Sequence, residues 1–273
     1  MRLYDKMEFN MPVREQVSHK GTFGRVLNIA GSDYMSGAAY LSSVAALKIG
    51  CGYVFLCSTE KAMNAVSSQT QNIVFCPFDE LEQQINDADV VLIGCGISTN
   101  EQARKNIFVT LKNIGDKPIL IDADGINIIS ENPDTKFPTN LILTPHPKEA
   151  ARLLKVDVSE ILSDIEGNAK EISKKYNCVT VLKSHNTVVC SKDFEIYINN
   201  TGNSALAKAG SGDVLAGMIA GLLAQKMDLY EAAKLGVYLH GLSGEIASQD
   251  LTEYSVLAKN QIDYLPQAIK TLL

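Results

Sequence analysis

The sequence predicts an α/β fold, a mostly parallel central sheet covered by helices on both faces. Three observations point there. Strand-like and helix-like segments alternate through most of the chain, the strand runs are continuously apolar, and the last third is nearly all helix. A strand that is apolar at every position is buried on both faces, as in a parallel sheet sandwiched between helices. The 273 residues show no repeat, no low-complexity tract and no dividing linker, so a single domain spanning 1–273 is expected.

Taken in order, residues 25–30 (RVLNIA) are the first expected strand, and 36–49 (SGAAYLSSVAALKI) a helix rich in small residues. Tyr53–Cys57 is strand-like again. Val90–Ile93 (VVLI) and 119–122 (ILID) are short apolar runs, each followed by a polar or glycine residue. Leu141–Leu143 runs into Thr144-Pro145-His146-Pro147, where two prolines stiffen the exit and Pro147 suits the first turn of a helix continuing EAARLL. Residues 159–176 have helical periodicity, Val179–Leu182 is a buried strand, and 186–190 with 195–198 resemble a hairpin. Helices are expected over 214–225, 229–248 and 256–272, with Gly217 and Gly221 suited to close packing of helix on sheet.

Composition narrows the function. Hydrophobic residues make up 46% and charged residues 21%, and the net charge is −6. No basic cluster is longer than Lys174-Lys175, which argues against nucleic acid or an anionic membrane surface as the main partner. An anionic ligand must therefore be held by local geometry. The six cysteines never reach C-x-x-C spacing and mostly lie in apolar strand runs, so reduced buried thiols are expected, without disulfides or a metal site. No run reaches transmembrane length and the N-terminus has no apolar signal region, so a cytoplasmic protein is expected.

The most informative stretch is NNTGNSALAKAGSGDVLAGMIAGLLAQ, residues 199–225. Gly202, Gly210 and Gly212 precede Asp213, and an uninterrupted apolar helix follows. Glycines let a tight turn present bare N–H groups, and a helix N-terminus adds partial positive charge. This arrangement is an anion hole. A carboxylate placed there suits proton removal from a hydroxyl while phosphate charge develops nearby. A plain helix cap by Asp213 is the competing reading.

Other turns follow other strands. His146 and Glu149 are three apart and could face one cleft, although a glutamate in a first helical turn needs no function. Lys183-Ser184-His185-Asn186-Thr187 puts a long cation at a strand exit, within reach of phosphate, or is a simple hairpin turn. Gly31-Ser32-Asp33 through Gly37-Ala38-Ala39, and Gly94-Cys95-Gly96, are glycine turns that match neither G-x-G-x-x-G nor Walker A. An ordinary Rossmann dehydrogenase or P-loop enzyme is thus excluded. In a parallel sheet all these turns converge along one edge.

KGTFGRVLNIAGS, LTPHPKEAARLL and NTGNSALAKAGSGDVLAG together make the chain resemble the ribokinase-like superfamily, and within it the ADP- or ATP-dependent NAD(P)H-hydrate dehydratases. The likeness runs from His19 to Glu245 and is to the stand-alone dehydratase, without the epimerase domain sometimes fused to it. It implies repair of hydrated NADH or NADPH: the C6 hydroxyl is phosphorylated from ADP or ATP, and loss of phosphate restores the ring. By resemblance, Asp213 is the base, and Gly210, Ser211 and Gly212 form the anion hole. Lys183, Ser184, His185, Asn186 and Thr187, with Gly212, contact the nucleotide. Ala38, Gly96 and His146, with Asp213, contact the hydrated dinucleotide, and Glu149 acts on Mg²⁺ through water. A cytoplasmic homotetramer is the implied assembly. Lys148, Ser184 and Cys95 depart from the glycine, glycine and proline usual in the family. A hydroxyethylthiazole-type kinase or a catalytically silent nucleotide sensor are the alternatives. His146-Pro147 before Glu149 separates the first, and an intact Asp213 the second.

Overall fold

The continuous apolar runs become strands with one row of side chains on each side of a single sheet. The computed structural model describes residues 9–273. Its strands are β1 (Arg25–Ile29), β2 (Tyr53–Cys57), β3 (Val74–Cys76), β4 (Val90–Ile93), β5 (Ile119–Ile121), β6 (Leu141–Leu143), β7 (Val179–Leu182), β8 (Val188–Cys190) and β9 (Ile196–Ile198). They pair in the order β3-β2-β1-β4-β5-β6-β7-β8-β9. All pairings are parallel up to β7; β8 and β9 add antiparallel to that edge, as the hairpin reading expected.

The helices are α1 (Ser36–Lys48), α2 (Glu60–Ser67), α3 (Leu81–Asp87), α4 (Glu101–Asn113), α5 (Ala123–Ser130), α6 (Pro147–Leu154), α7 (Val158–Ser163), α8 (Ile165–Tyr176), α9 (Ser211–Ala224), α10 (Leu229–Ser255) and α11 (Ala258–Lys270). Two cores result. Val26, Val90, Leu92, Leu120, Ile142 and Val181 pack with α1, α9, α10 and α11 on one face. Leu27, Ile29, Val91, Ile93, Ile121 and Leu143 pack with α3, α4, α5, α6 and α8 on the other. Neighbouring residues of each strand serve opposite cores, which is why no polar alternation marks them.

Four expectations need correction. The helix read over 159–176 is two helices, because Asp164 leaves helical geometry (φ −149°, ψ 79°) and its side chain caps α8 through Gly167 N–H. Gly217 and Gly221 face a helix rather than the sheet. A Cβ on Gly217 would lie 2.1 Å from Ser42 O, and one on Gly221 2.6 Å from Ala46 O, both on α1. The helix read over 229–248 runs on to Ser255 and is kinked where Thr252 takes φ 63°. Asp122, read as the end of a strand, lies just beyond β5.

The topology fixes the site. β1 has β2 on one side and β4 on the other, so the loops leaving β1 and β4 diverge and open a crevice at their carboxyl ends. Among the described residues, no helix is long and apolar enough to cross a membrane.

Candidate active site

At the β1/β4 crevice, the two glycine turns are tied together. Gly31 N–H donates to Cys95 O at 2.8 Å. Gly96 has φ +65°, and a Cβ there would come within 2.8 Å of Ala38 Cβ. Ala38 and Gly96, far apart in sequence, are therefore in contact, and only glycine leaves that space open. Cys95 between the turns is fully buried. Its Sγ and one carboxylate oxygen each from Asp122 and Asp213 all lie within 4.8 Å of one another. Burial, reinforced by the two carboxylates, holds the Cys95 thiol well above its usual range, so it is a neutral S–H donor.

The next three strands deliver an ion pair that sequence reasoning missed. Asp122 follows β5 and is almost fully buried. Lys183 follows β7, and its Nζ donates to Asp122 Oδ1 at 2.6 Å. Thr144 follows the intervening β6, and its Oγ1 donates to the same oxygen at 2.7 Å. Lys183 N–H donates to Pro145 O at 2.8 Å, so the stiffened turn also sets the lysine. Burial works against the Lys183 ammonium, but the Asp122 and Glu149 carboxylates outweigh it and raise its pKa. The lysine stays charged. A carboxylate directly after a buried parallel strand was the available signal for Asp122.

Helix α6 starts with a reciprocal cap. His146 Nδ1 accepts from Lys148 N–H at 3.1 Å and Glu149 N–H at 3.2 Å, so the ring proton belongs on Nε2. Glu149 Oε2 accepts from His146 N–H at 2.8 Å, and Oε1 stands 3.3 Å from Nε2. The two side chains face each other in a capping box, but only His146 lines the cleft described below, Glu149 being buried outside its lining. Burial lowers the His146 pKa and raises that of Glu149, which Asp122 raises further while Lys183 opposes it.

Helix α9 closes the arrangement. Gly210 takes φ +91° to turn the chain into it. Gly212 sits against the lysine: a Cβ there would be 3.5 Å from Lys183 Nζ and 4.0 Å from Asp122 Oδ2. Asp213 is pushed up to about 6 by burial, with Asp122 adding to the rise and the Cys95 thiol and Lys183 opposing it. Beside this turn opens a cleft of about 830 Å³. His146, Lys183, Ser184, His185 and Thr187 line it together with Ser211 and Gly212, while Leu206, Leu215 and Val237 supply an apolar wall. Asn186 lies outside the lining, at the exposed tip of the hairpin. The Ser184 hydroxyl is turned inward on Asn186 O at 2.7 Å. Asp213 itself is outside the lining: it follows the cleft-lining Gly212, and its carboxylate gathers with Asp122 and with Cys95, the chain neighbour of Gly96.

A family model described as NAD(P)H-hydrate dehydratase matches residues 26–267. The chain belongs to that family. Within it, the chain is similar to the ADP-dependent (S)-NAD(P)H-hydrate dehydratase of Neisseria meningitidis, 40% identical over 86% of this chain and 81% of that protein. The enzyme of the same name from Bacillus subtilis is 32% identical, over 95% of this chain and 94% of its own length. The crystal structure of the Bacillus subtilis ADP/ATP-dependent enzyme, co-crystallised with ATP and Mg²⁺, has a TM-score of 0.86 and covers 96% of this chain and 94% of that one. The chain spans about half the length of the bifunctional NAD(P)H-hydrate repair enzyme of Escherichia coli, 49%, at 36% identity. A hydroxyethylthiazole kinase from Pyrococcus horikoshii, 16% identical with a TM-score of 0.66 over 91% of each chain, shares the fold alone.

Proposed function

We propose that this protein restores NADH or NADPH from the S-form of its hydrate, driven by ADP or ATP. The observation carrying this reading is Asp213, a partly buried carboxylate at the N-terminus of α9, which directly follows the cleft-lining Gly212 and gathers with Asp122 and with Cys95, the neighbour of Gly96. The nucleotide lies in the cleft, its base against Leu206, Leu215 and Val237 and its phosphates toward Lys183 and Gly212. The hydrated nicotinamide lies toward Ala38 and Gly96; His146, assigned to it by resemblance, lines the cleft of the nucleotide.

Asp213 takes the proton of the C6 hydroxyl, and the hydroxyl oxygen attacks the terminal phosphorus. The bond to the leaving nucleotide breaks, giving AMP from ADP or ADP from ATP. Phosphate then departs from C6 with the bonding pair, a proton is lost from C5, and the ring double bond returns. Hydroxide is a poor leaving group and phosphate a good one, so a kinase-like site produces a net dehydration. Lys183 and the N–H groups of Gly212 and Asp213 meet the charge that builds on the transferring phosphoryl group.

Mg²⁺ fits the donor set. The Asp122 and Asp213 carboxylates converge beside the cleft with Glu149 near them, and the one soft donor, Cys95, is held protonated. Asp122 and Glu149 would hold the ion, directly or through water, and it would neutralise charge on the phosphates. We read residues 1–273 as one catalytic domain, since one sheet unites the described strands, and expect a cytoplasmic homotetramer as in the family.

Product stoichiometry tests this. With Mg²⁺, hydrated NADH and either nucleotide, restored reduced nicotinamide and free phosphate should appear one for one. A stable phosphorylated organic product without phosphate release would make the protein a kinase instead.

A further inference from the structure

The first turn of α9 is held by two buried side chains, of which His240 also lines the cleft. His240, on α10, brings Nε2 to 3.0 Å from the carbonyl oxygen of Ser211 and 3.1 Å from Ser211 Oγ. Gln261, on α11, meets the same Oγ at 3.2 Å. His240 is 8% exposed, Ser211 5% and Gln261 0%. A carbonyl oxygen only accepts, so Nε2 carries the ring proton and donates it. Burial keeps the imidazole neutral, pushing its pKa down to about 4.

The Ser211 carbonyl and the Gly212 N–H are the two ends of one peptide unit. Gly212 lines the cleft beside Lys183. Its N–H belongs to the first helical turn and has no intrahelical acceptor. A donor on the carbonyl end polarises the peptide and strengthens the N–H at the other end. It also fixes the plane of the peptide, and so the direction of that N–H.

We infer that His240 is a positioning residue for phosphoryl transfer: its Nε2–H orients and polarises the Ser211–Gly212 peptide, so that Gly212 N–H meets the charge developing on the transferred group. Gln261 holds the Ser211 hydroxyl and keeps the turn in register. This rests on the phosphoryl-transfer reading above. A purely structural histidine would support folding and leave the chemical step alone.

The test compares His240→Leu, His240→Gln and His240→Asn with the unaltered protein, measuring nicotinamide restoration, nucleotide KM and Tm. Loss of a whole oxyanion donor costs about a hundred-fold or more in kcat, and loss of its polarisation should cost about ten-fold. His240→Leu should therefore lose about ten-fold in kcat with nucleotide KM nearly unchanged. His240→Gln, whose amide reaches the carbonyl, should recover most of it. Unchanged kcat in His240→Leu, whatever its Tm, would overturn the inference. If the leucine variant does not fold, equal kcat in the glutamine and the shorter asparagine variants would overturn it as well. Absence of turnover in the unaltered protein would remove the reaction itself, and the inference with it.

Discussion

Asp213 joins two demands that conflict. Burial raises its pKa from 3.8 to about 6, and the base proposed for this position must be ionised to act. In the free enzyme, kcat/KM should therefore rise through about pH 6 on the acid side, as a pH–rate profile would reveal. The stability consequence has the opposite sense. Below pH 3.8 the carboxyl is protonated both folded and unfolded. Between 3.8 and about 6 the folded form keeps a proton that the unfolded chain has released, so stability falls as pH rises. Asp213→Asn should thus raise Tm at neutral pH, by the equivalent of at most about 3 kcal/mol, with the gain fading toward pH 4. A lower Tm for the variant at neutral pH would contradict this. Cys95→Ala removes the thiol that opposes the rise, so the acid limb should move to higher pH. Gly212→Ala places its Cβ in ordinary contact with Lys183 Nζ, at 3.5 Å, without a forbidden φ. Tm should hold while turnover falls about a hundred- to a thousand-fold, because the added methyl would occupy the space proposed for the phosphate.

The helices that carry these residues are placed by small-residue contacts. Gly217 lies against Ser42 O with no room for a Cβ, so Gly217→Ala must push α9 away from α1. Thermal melts should show destabilisation of roughly 3 kcal/mol or more, and turnover should fall with it, since Asp213 rides on the same helix. Near-native melting would mean that the two helices separate cheaply. The elements most legible in the sequence were those with one signal. Continuous runs such as VVLI and VTVL could only be buried strands. The 159–176 segment misled because its apolar spacing continues in phase across Asp164, and the break lies in a side-chain cap rather than in periodicity. Helices α2 and α4 went unread, although Thr59 and Asn100 cap them through Ala62 and Ala103 N–H.

At the scale of the molecule, the sheet order does what no motif could: it brings Ala38 beside Gly96, and Asp122 beside Thr144 and Lys183. The sequence motifs named the glycine turns and Asp213. The Asp122–Lys183 pair and the His240–Ser211 contact were hidden because each joins distant segments of chain. Net charge is −6, so the nucleotide binding proposed above would depend on this local constellation. ADP or ATP should raise Tm by mass action, by the equivalent of about 2.7 kcal/mol at a hundred times Kd. Lys183→Met should abolish most of that gain. The most direct test of the account follows the near-ultraviolet absorbance of hydrated NADH with Mg²⁺ and ADP or ATP, for the unaltered protein and for Asp213→Asn. A nucleotide-dependent rise is expected, lost in Asp213→Asn while nucleotide still shifts the variant's Tm. Equal rises in both proteins would contradict the assignment of Asp213 as the base.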